Sequence, residues 1–330
     1  MAATETVKAR ASVALESKKA ADRRKLMVYG VLLAIALVAP FVAYPVFLMK
    51  VLCFALFACA FNLLLGYAGL LSFGHAAFLA TGGYYTGYML SQHSLTPELG
   101  ILVGTAAATI LGVFFGLLSI RRQGIYFAMI TLALAQMVFF FYLQSDFTGG
   151  EDGMHGIPRG YLFGFIDLTN NLAMYYFVLA VFLFGFLLIQ RTIHSPFGQV
   201  LKAIRENEPR ATSLGYNVDA YKLVAFVLSA ALAGLAGSTK TVVFQLASLT
   251  DAHWHMSGEV ILMTLVGGVG TLVGPLIGAA FVVTVEHQLA QSAMGDWVNV
   301  ILGLIFVVCV LVFRAGIVGE IQKFAKKNFK

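Results

Sequence analysis

Residues 205–215 read Arg-Glu-Asn-Glu-Pro-Arg-Ala-Thr-Ser-Leu-Gly, a charged, helix-prone island between two long apolar runs at roughly 171–190 and 222–244. A bilayer core roughly 30 Å thick takes about 20 apolar residues of helix, and both runs reach that length. The island is too short to be a domain and too patterned to be a linker. Its flanks define the chain as a membrane protein, and the island itself is what such a protein can offer to a soluble partner.

Working outward, the composition agrees. Hydrophobic residues make up 59% of the 330-residue chain and charged residues 12%, a balance that a soluble domain could carry only by exposing large apolar patches. About ten apolar segments follow one another, at roughly 27–48, 51–67, 70–90, 98–120, 124–143, 171–190, 222–244, 257–270, 272–291 and 297–313. The expected fold is an all-α polytopic membrane protein with about ten transmembrane or re-entrant helices. The eighth segment is short and the third and ninth are rich in glycine, so eight complete spans with re-entrant pieces is the alternative.

Lysine and arginine set the expected orientation, because each costs about 2.5–3.5 kcal/mol at a bilayer centre and cytosolic loops collect them. With alternating spans and a cytosolic N-terminus, the tail to Lys25, Arg121 and Arg122, the 191–222 region and the segment from Arg314 hold 19 of the 22 basic residues; Lys50, Arg159 and Lys240 are the exceptions. Both termini are therefore expected in the cytosol. The expected division is a basic tail at 1–26, a membrane domain at 27–313 with a cytosolic loop at 191–221, and a basic tail at 314–330. The N-terminal tail is too long and charged for a signal peptide, and a full-length apolar run follows it. The net charge of +6 is then a topology signal that gives no reason to invoke nucleic acid. Cys53, Cys59 and Cys309 lie inside apolar runs, without disulfide or metal-ligand spacing, and read as small packing residues.

Within the island, Val200, Leu201, Ile204, Ala211 and Leu214 recur at helical spacing, with Lys202, Arg205, Glu206 and Glu208 between them. Lys202 and Glu206 stand one turn apart and can pair. Pro209 is expected to break or restart the helix, and Gly215 suits a C-terminal cap. Two readings fit: a helix lying on lipid headgroups, or a coupling helix that docks in a groove of a soluble motor subunit. The residues that would make the docking contact are Arg205, Glu206, Glu208, Pro209, Arg210, Ala211 and Gly215.

Two apolar stretches, Gly66 to Gly87 and Gly267 to Gly278, are interrupted by small residues, one in each half of the chain. Gly83/Gly87, Gly270/Gly274 and Gly274/Gly278 have the spacing that lets helix backbones approach closely. The same pattern suits paired broken helices lining a path, and Pro275 favours a break in the second. Polar groups in apolar runs invite a functional reading: Asn62, His75, Gln136 and the pair Glu286/His287 qualify, with Glu259 near a span end. A hydrogen-bonded structural histidine is the commoner outcome at His75. The candidate path comprises Asn62, Ser72, Gly74, His75, Gly267, Gly268, Gly270, Gly274 and Pro275. The 144–170 loop, rich in glycine, carries Asp146, Glu151 and Asp152 on the side opposite the island, as a connector or a receiving surface.

Ser195-Pro-Phe-Gly198, Lys202-Ala-Ile-Arg-Glu-Asn-Glu-Pro-Arg210, Leu214-Gly-Tyr-Asn217 and Tyr221-Lys-Leu223 resemble the signature loop of branched-chain amino acid ABC permeases, on the LivM side of the LivH/LivM pair. Asn62-Leu-Leu-Leu-Gly-Tyr-Ala-Gly69, Ser72-Phe-Gly-His-Ala-Ala-Phe78, Gly124 to Thr131, Thr148-Gly-Gly-Glu-Asp-Gly153, Ser257-Gly-Glu and Val266 to Pro275 extend the resemblance over about 50–315. Ala211-Thr-Ser-Leu-Gly215 matches the Ala-x-x-x-Gly core of the importer loop, with Pro209-Arg210 where that loop has Glu-Ala. The resemblance implies a bacterial inner-membrane permease subunit for leucine, isoleucine and valine. It also implies a homologous LivH-like permease, two ATPase subunits carrying ATP and Mg, and a periplasmic binding protein as partners. No cofactor or metal would be bound by this chain. Urea or short-amide import is the variant within the same family.

The chain contains no Gly-Lys dipeptide, so a P-loop ATPase is excluded, and no Gly-x-Ser-x-Gly or His-Glu-x-x-His stretch is present. A secondary transporter driven by an ion gradient would rest on His75 alone and leave the island without a role. A membrane-embedded enzyme lacks a paired acid and base. The chain is expected to be a non-catalytic subunit.

Overall fold

The computed structural model describes residues 30, 33–292, 297–312 and 316–320. The 1–26 tail and, apart from 316–320, the 314–330 tail lie outside the described residues. Contacts divide the chain into a unit ending at Leu48 and a unit running from Met49. The first contains a short apolar helix, α1 (Leu33–Val42).

Helix α2 (Pro45–Asn62) runs straight into a π-helical turn at Leu63–Ala68. From Leu52 to Asn62 every side chain is buried, which is what a segment apolar all round demands of its surroundings. Against it lie α3 (His75–Gln92), α6 (Asn171–His194) and, after two short helices, α9 (Val218–Phe244), while α4 (Pro97–Ser119) and α5 (Ile125–Gln144) pack against α3. Helices α10 (Trp254–Gly267), α11 (Gly274–Ala290) and α12 (Val298–Val312) follow. Helices α4 and α5 differ from α2 in showing Leu102, Ile110, Leu117, Ile125, Met129 and Met137 on their outer faces. Apolar faces of that extent require a non-aqueous cover.

Among the described residues, five helices are long and apolar enough to cross a membrane: Pro45–Ala68, α4, α5, α6 and α9. The remaining apolar helices, 10 to 18 residues long, do not meet both conditions, so the figure of about ten crossings goes beyond the helices that satisfy them.

Small residues weld α3, α4 and α9 together. Gly82 lies against the Gly234 backbone, Gly237 against the Leu79 backbone, and Gly112 against Ala230. Ser238 Oγ donates to the Gly82 carbonyl at 3.1 Å and Tyr142 OH to Thr81 Oγ1 at 2.7 Å. With lipid as apolar as leucine, close backbone approach and such hydrogen bonds are what hold membrane helices to one another.

The all-α expectation needs one amendment. The 144–170 loop carries strand β1 (Met154–His155), antiparallel to β4 (Leu246–Ala247) beyond α9, and a hairpin of β2 (Tyr161–Leu162) with β3 (Ile166–Asp167). The loop is thus strapped onto the end of α9. Arg159 adds bonds from Nη2 to the Val243 carbonyl at 2.6 Å and from Nη1 to Asn171 Oδ1 at 3.0 Å.

Candidate functional site

The island folds as two helices. Ser195 caps α7 (Pro196–Glu206) by accepting from the Gly198 amide, and Pro196 occupies the first turn, where its missing N–H costs nothing. Asn207 ends α7 and caps α8 (Glu208–Ser213), its Oδ1 accepting from the Arg210 amide at 3.0 Å. Pro209 sits in the first turn of α8, so it restarts the helix as its ring geometry favours. At the other end Gly215, with φ +88°, donates to Thr212 O at 2.9 Å while Tyr216 N donates to Ala211 O at 3.3 Å. That is the paired closure of a Schellman motif.

Leu201, Ile204 and Ala211 are buried, and Ile204 and Ala211 pack with Val218 against Val200 and Tyr221. Leu214 departs from the expected stripe: α8 ends just before it and the side chain is 71% exposed. The Lys202–Glu206 pair is also not among the described ion pairs. Lys202 Nζ stands 5.6 Å from the Tyr67 ring centroid instead, a cation over an aromatic face.

Arg205 takes the same direction one turn on. Its guanidinium Nη1 donates to the carbonyl of Gly66, and its stem lies against Gly69, where a Cβ would meet Cγ at 2.9 Å. Gly66 belongs to the π-helical turn, where backbone carbonyls fall out of the regular i to i−4 pattern. A Cβ on Gly66 would stand 2.7 Å from the Gly270 amide, so the two glycine-interrupted stretches meet. Asn62 closes the junction: its Oδ1 accepts from Gly270 N and its Nδ2 donates to Thr271 O, both at 2.9 Å. Gly268 and Gly270 have positive φ, +120° and +77°, which glycine alone adopts freely. Thr271 Oγ1 then donates to Gly268 O at 2.7 Å and accepts from Gly274 N at 3.1 Å, opening α11 ahead of Pro275. Gly267 and Gly274 are in backbone contact, so α10 and α11 form a tight hairpin around the 268–273 bend.

The other expected residues fall in two groups. Glu208 turns inward, bonded to Lys222 at 2.7 Å and to Gln123 at 2.8 Å. Lys222 is 2% exposed and is a buried cation with its counter-charge supplied by the island. Glu206, Pro209, Arg210 and Gly215 are exposed. Ser72, Gly74 and His75 lie where α3 begins. Ser72 Oγ accepts from Gly74 N at 3.1 Å, and Thr131 of α5 accepts from Phe73 N at 3.1 Å. His75 is fully buried, edge-on to Phe61, Phe78 and Phe226. Its Nε2 lies 2.8 Å from Ser229 Oγ, whose own proton goes to Ala60 O at 2.6 Å. The ring nitrogen therefore carries the hydrogen of the first bond, and His75 ties α2, α3 and α9 together. Gly66, Thr271, Ser229 and Lys222 were missed as partners in these contacts. Gly66 and Lys222 stand in quoted motifs, but nothing in a linear sequence marks their mates.

The three cations that broke the charge rule all have partners. Lys50 pairs with Glu286 at 3.2 Å, Lys240 with Asp251, and Arg159 binds the Val243 carbonyl. No group of three or more His, Cys, Asp or Glu able to hold a metal occurs among the described residues.

The chain is thus a multi-helix apolar bundle whose two backbone breaks are held together by Asn62 and gripped by Arg205 of α7. The sequence profile of the permease components of branched-chain amino acid transport systems matches residues 45–310, and the chain belongs to that family. It is 27% identical over 259 residues, 70% of this chain and 60% of the relative, to the high-affinity branched-chain amino acid transport permease protein LivM of Escherichia coli. A probable LivM of Methanocaldococcus jannaschii is 25% identical over 57% of this chain and 54% of its own length. The ribose import permease protein RbsC of Bacillus subtilis is 25% identical over 74% of this chain and 81% of its own. The chain thus spans about three fifths of the length of the Escherichia coli LivM protein. No solved structure matches it.

Proposed function

We propose that this chain is the transmembrane permease subunit of an ATP-driven importer for branched-chain amino acids. The observation that carries the reading is the Arg205 contact with Gly66, because it gives the island a direct mechanical hold on both backbone breaks. A helix that merely rested on headgroups would need no such hold. In this reading α7 and α8 dock in a groove of an ATPase subunit, with Glu206, Arg210 and the exposed Leu214 outermost. Closure of the ATPase pair on ATP and Mg moves the island, Arg205 pulls the π-helical turn, and Asn62 carries the displacement to the 268–273 bend. Alternating access follows from shifting the two breaks together. This chain supplies half of the path and no catalytic residue. A homologous permease supplies the other half, and a periplasmic binding protein delivers solute to the face opposite the island. The location is the bacterial inner membrane, with both termini and the 191–221 loop in the cytosol. The names of the LivM relatives support the substrate assignment; the ribose permease among the relatives makes sugars, beside urea and short amides, the competing solutes.

The test is uptake by proteoliposomes holding the whole complex and supplied with labelled leucine, urea or ribose. ATP-dependent leucine uptake is expected. Urea or ribose uptake alone replaces the solute, and uptake that follows an ion gradient without ATP overturns the importer. Exchanging charge by Arg205→Glu with Glu206→Arg is expected to leave insertion intact and cut leucine transported per ATP hydrolysed tenfold or more. Normal coupling in that variant removes Arg205 from the transmission.

A further inference from the structure

Far from the island, along a helix that rises about 1.5 Å per residue, five charges converge. Lys50 is on α2, Lys240 near the end of α9, Asp251 in the short 3-10 turn Leu249–Ala252, Glu259 on α10 and Glu286 on α11. Lys50 and Lys240 stand 5.8 and 5.2 Å from the centroid of the same ring, Phe54. Each is already paired, to Glu286 and to Asp251. Glu259 interacts electrostatically with all four of the others, yet it is the carboxylate left over: two ammonium groups face three acids. Its Oε1 is buried with no hydrogen-bond partner among the described residues. Near Asp251, Tyr84 is fully buried and its hydroxyl also has no hydrogen-bond partner among the described residues. A buried oxygen without a donor is costly, and more so when charged. An unpartnered carboxylate oxygen at a cluster of excess negative charge calls for a donor carrying positive charge.

We propose that Glu259 is the acceptor for the ammonium group of a zwitterionic amino acid, with Lys50 taking its carboxylate. Of the two lysines, Lys50 is the one free to exchange. Its pair with Glu286 leaves the side chains 25% and 30% exposed, against 16% and 11% for Lys240 and Asp251. Glu286, once released, can be solvated where it stands. Phe54, whose ring lies near both ammonium groups, supplies apolar surface for an aliphatic side chain. The site rests on the amino-acid reading above and deepens it, by assigning both charges of the substrate to named groups.

Equilibrium binding to the nanodisc-held complex, without binding protein or ATP, tests it. The probes are labelled leucine, isopentylamine (leucine without its carboxylate) and 4-methylpentanoate (leucine without its ammonium). On the unaltered protein isopentylamine is expected to displace leucine and 4-methylpentanoate is not; the reverse order overturns the site without any variant. Glu259→Gln should weaken leucine and isopentylamine at least tenfold, and Glu259→Asp less. Lys50→Gln should weaken leucine alone. Leucine binding that Glu259→Gln leaves unchanged means the orphan oxygen belongs to a neutral carboxyl that an amide replaces, and the site is wrong. If ATP-driven leucine uptake persists undiminished in Glu259→Gln, the site falls and the importer stands. If the unaltered complex neither binds nor transports leucine, the substrate reading and the site fall together.

Discussion

Asn62 ends the apolar second half of α2, and its amide satisfies one donor and one acceptor of the 268–273 bend. The sequence singles it out as polar where polarity is expensive, but its partners lie more than 200 positions away. Replacing it by leucine leaves Gly270 N and Thr271 O without mates, each worth about 1–3 kcal/mol when buried. Asn62→Leu is therefore expected to lower the thermal melting point of the purified protein clearly. Asn62→Asp, which still accepts from Gly270 N, should lose less. Equal melting points for Asn62→Leu and the parent would mean that the bend holds itself. His75 makes the opposite case: its isolation in the sequence invites a functional reading, while its bond to Ser229 and its three phenylalanine neighbours give it a structural task.

Helices α3 and α9 approach so closely that a single added methyl has nowhere to go at Gly237, which faces the Leu79 backbone. Gly303 in α12 has nothing within 4 Å of its would-be Cβ. Gly237→Val is expected to cost about 1–3 kcal/mol or more by overpacking and to reduce the yield of folded protein in membranes. Gly303→Ala should be neutral or stabilising by up to about 1 kcal/mol, as alanine replaces glycine in a helix. Fluorescence-detected size exclusion of the two variants decides this, and matching profiles would refute the close packing. The glycines were visible as a class in the sequence. Which of them pack helices and which bend the backbone was not, since Gly82 and Gly270 carry the same letter, yet Gly82 is helical and Gly270 has φ +77°.

At the scale of the whole molecule, the proposed orientation rests on the distribution of lysine and arginine. The three basic residues that this orientation sets apart from the rest are each matched by an acid or a carbonyl. Single cysteines placed by Glu206→Cys and Asp152→Cys, on a background in which Cys53, Cys59 and Cys309 are serine, test this order. A membrane-impermeant thiol reagent should label position 152 in intact cells with the outer barrier opened, and position 206 only after the inner membrane is breached. Both wild-type positions are exposed, so reaction depends on side rather than burial. The opposite pattern would invert the topology and with it the direction of transport.

Composition and the spacing of apolar runs were sufficient for the membrane class, the helical content and the position of the island, because lipid leaves a spanning backbone no choice but to bond within its own helix. Local chemistry made the Pro209 restart and the Gly215 cap legible in the island, while the caps at Ser195 and Asn207 came with the structure. Only the tertiary structure decided that Arg205 reaches Gly66, that Asn62 joins the two breaks, and that Glu259 remains as an unmatched acid among five charges. Those outcomes depend on which helices lie side by side, and pairings between distant residues leave no periodic trace in a single chain.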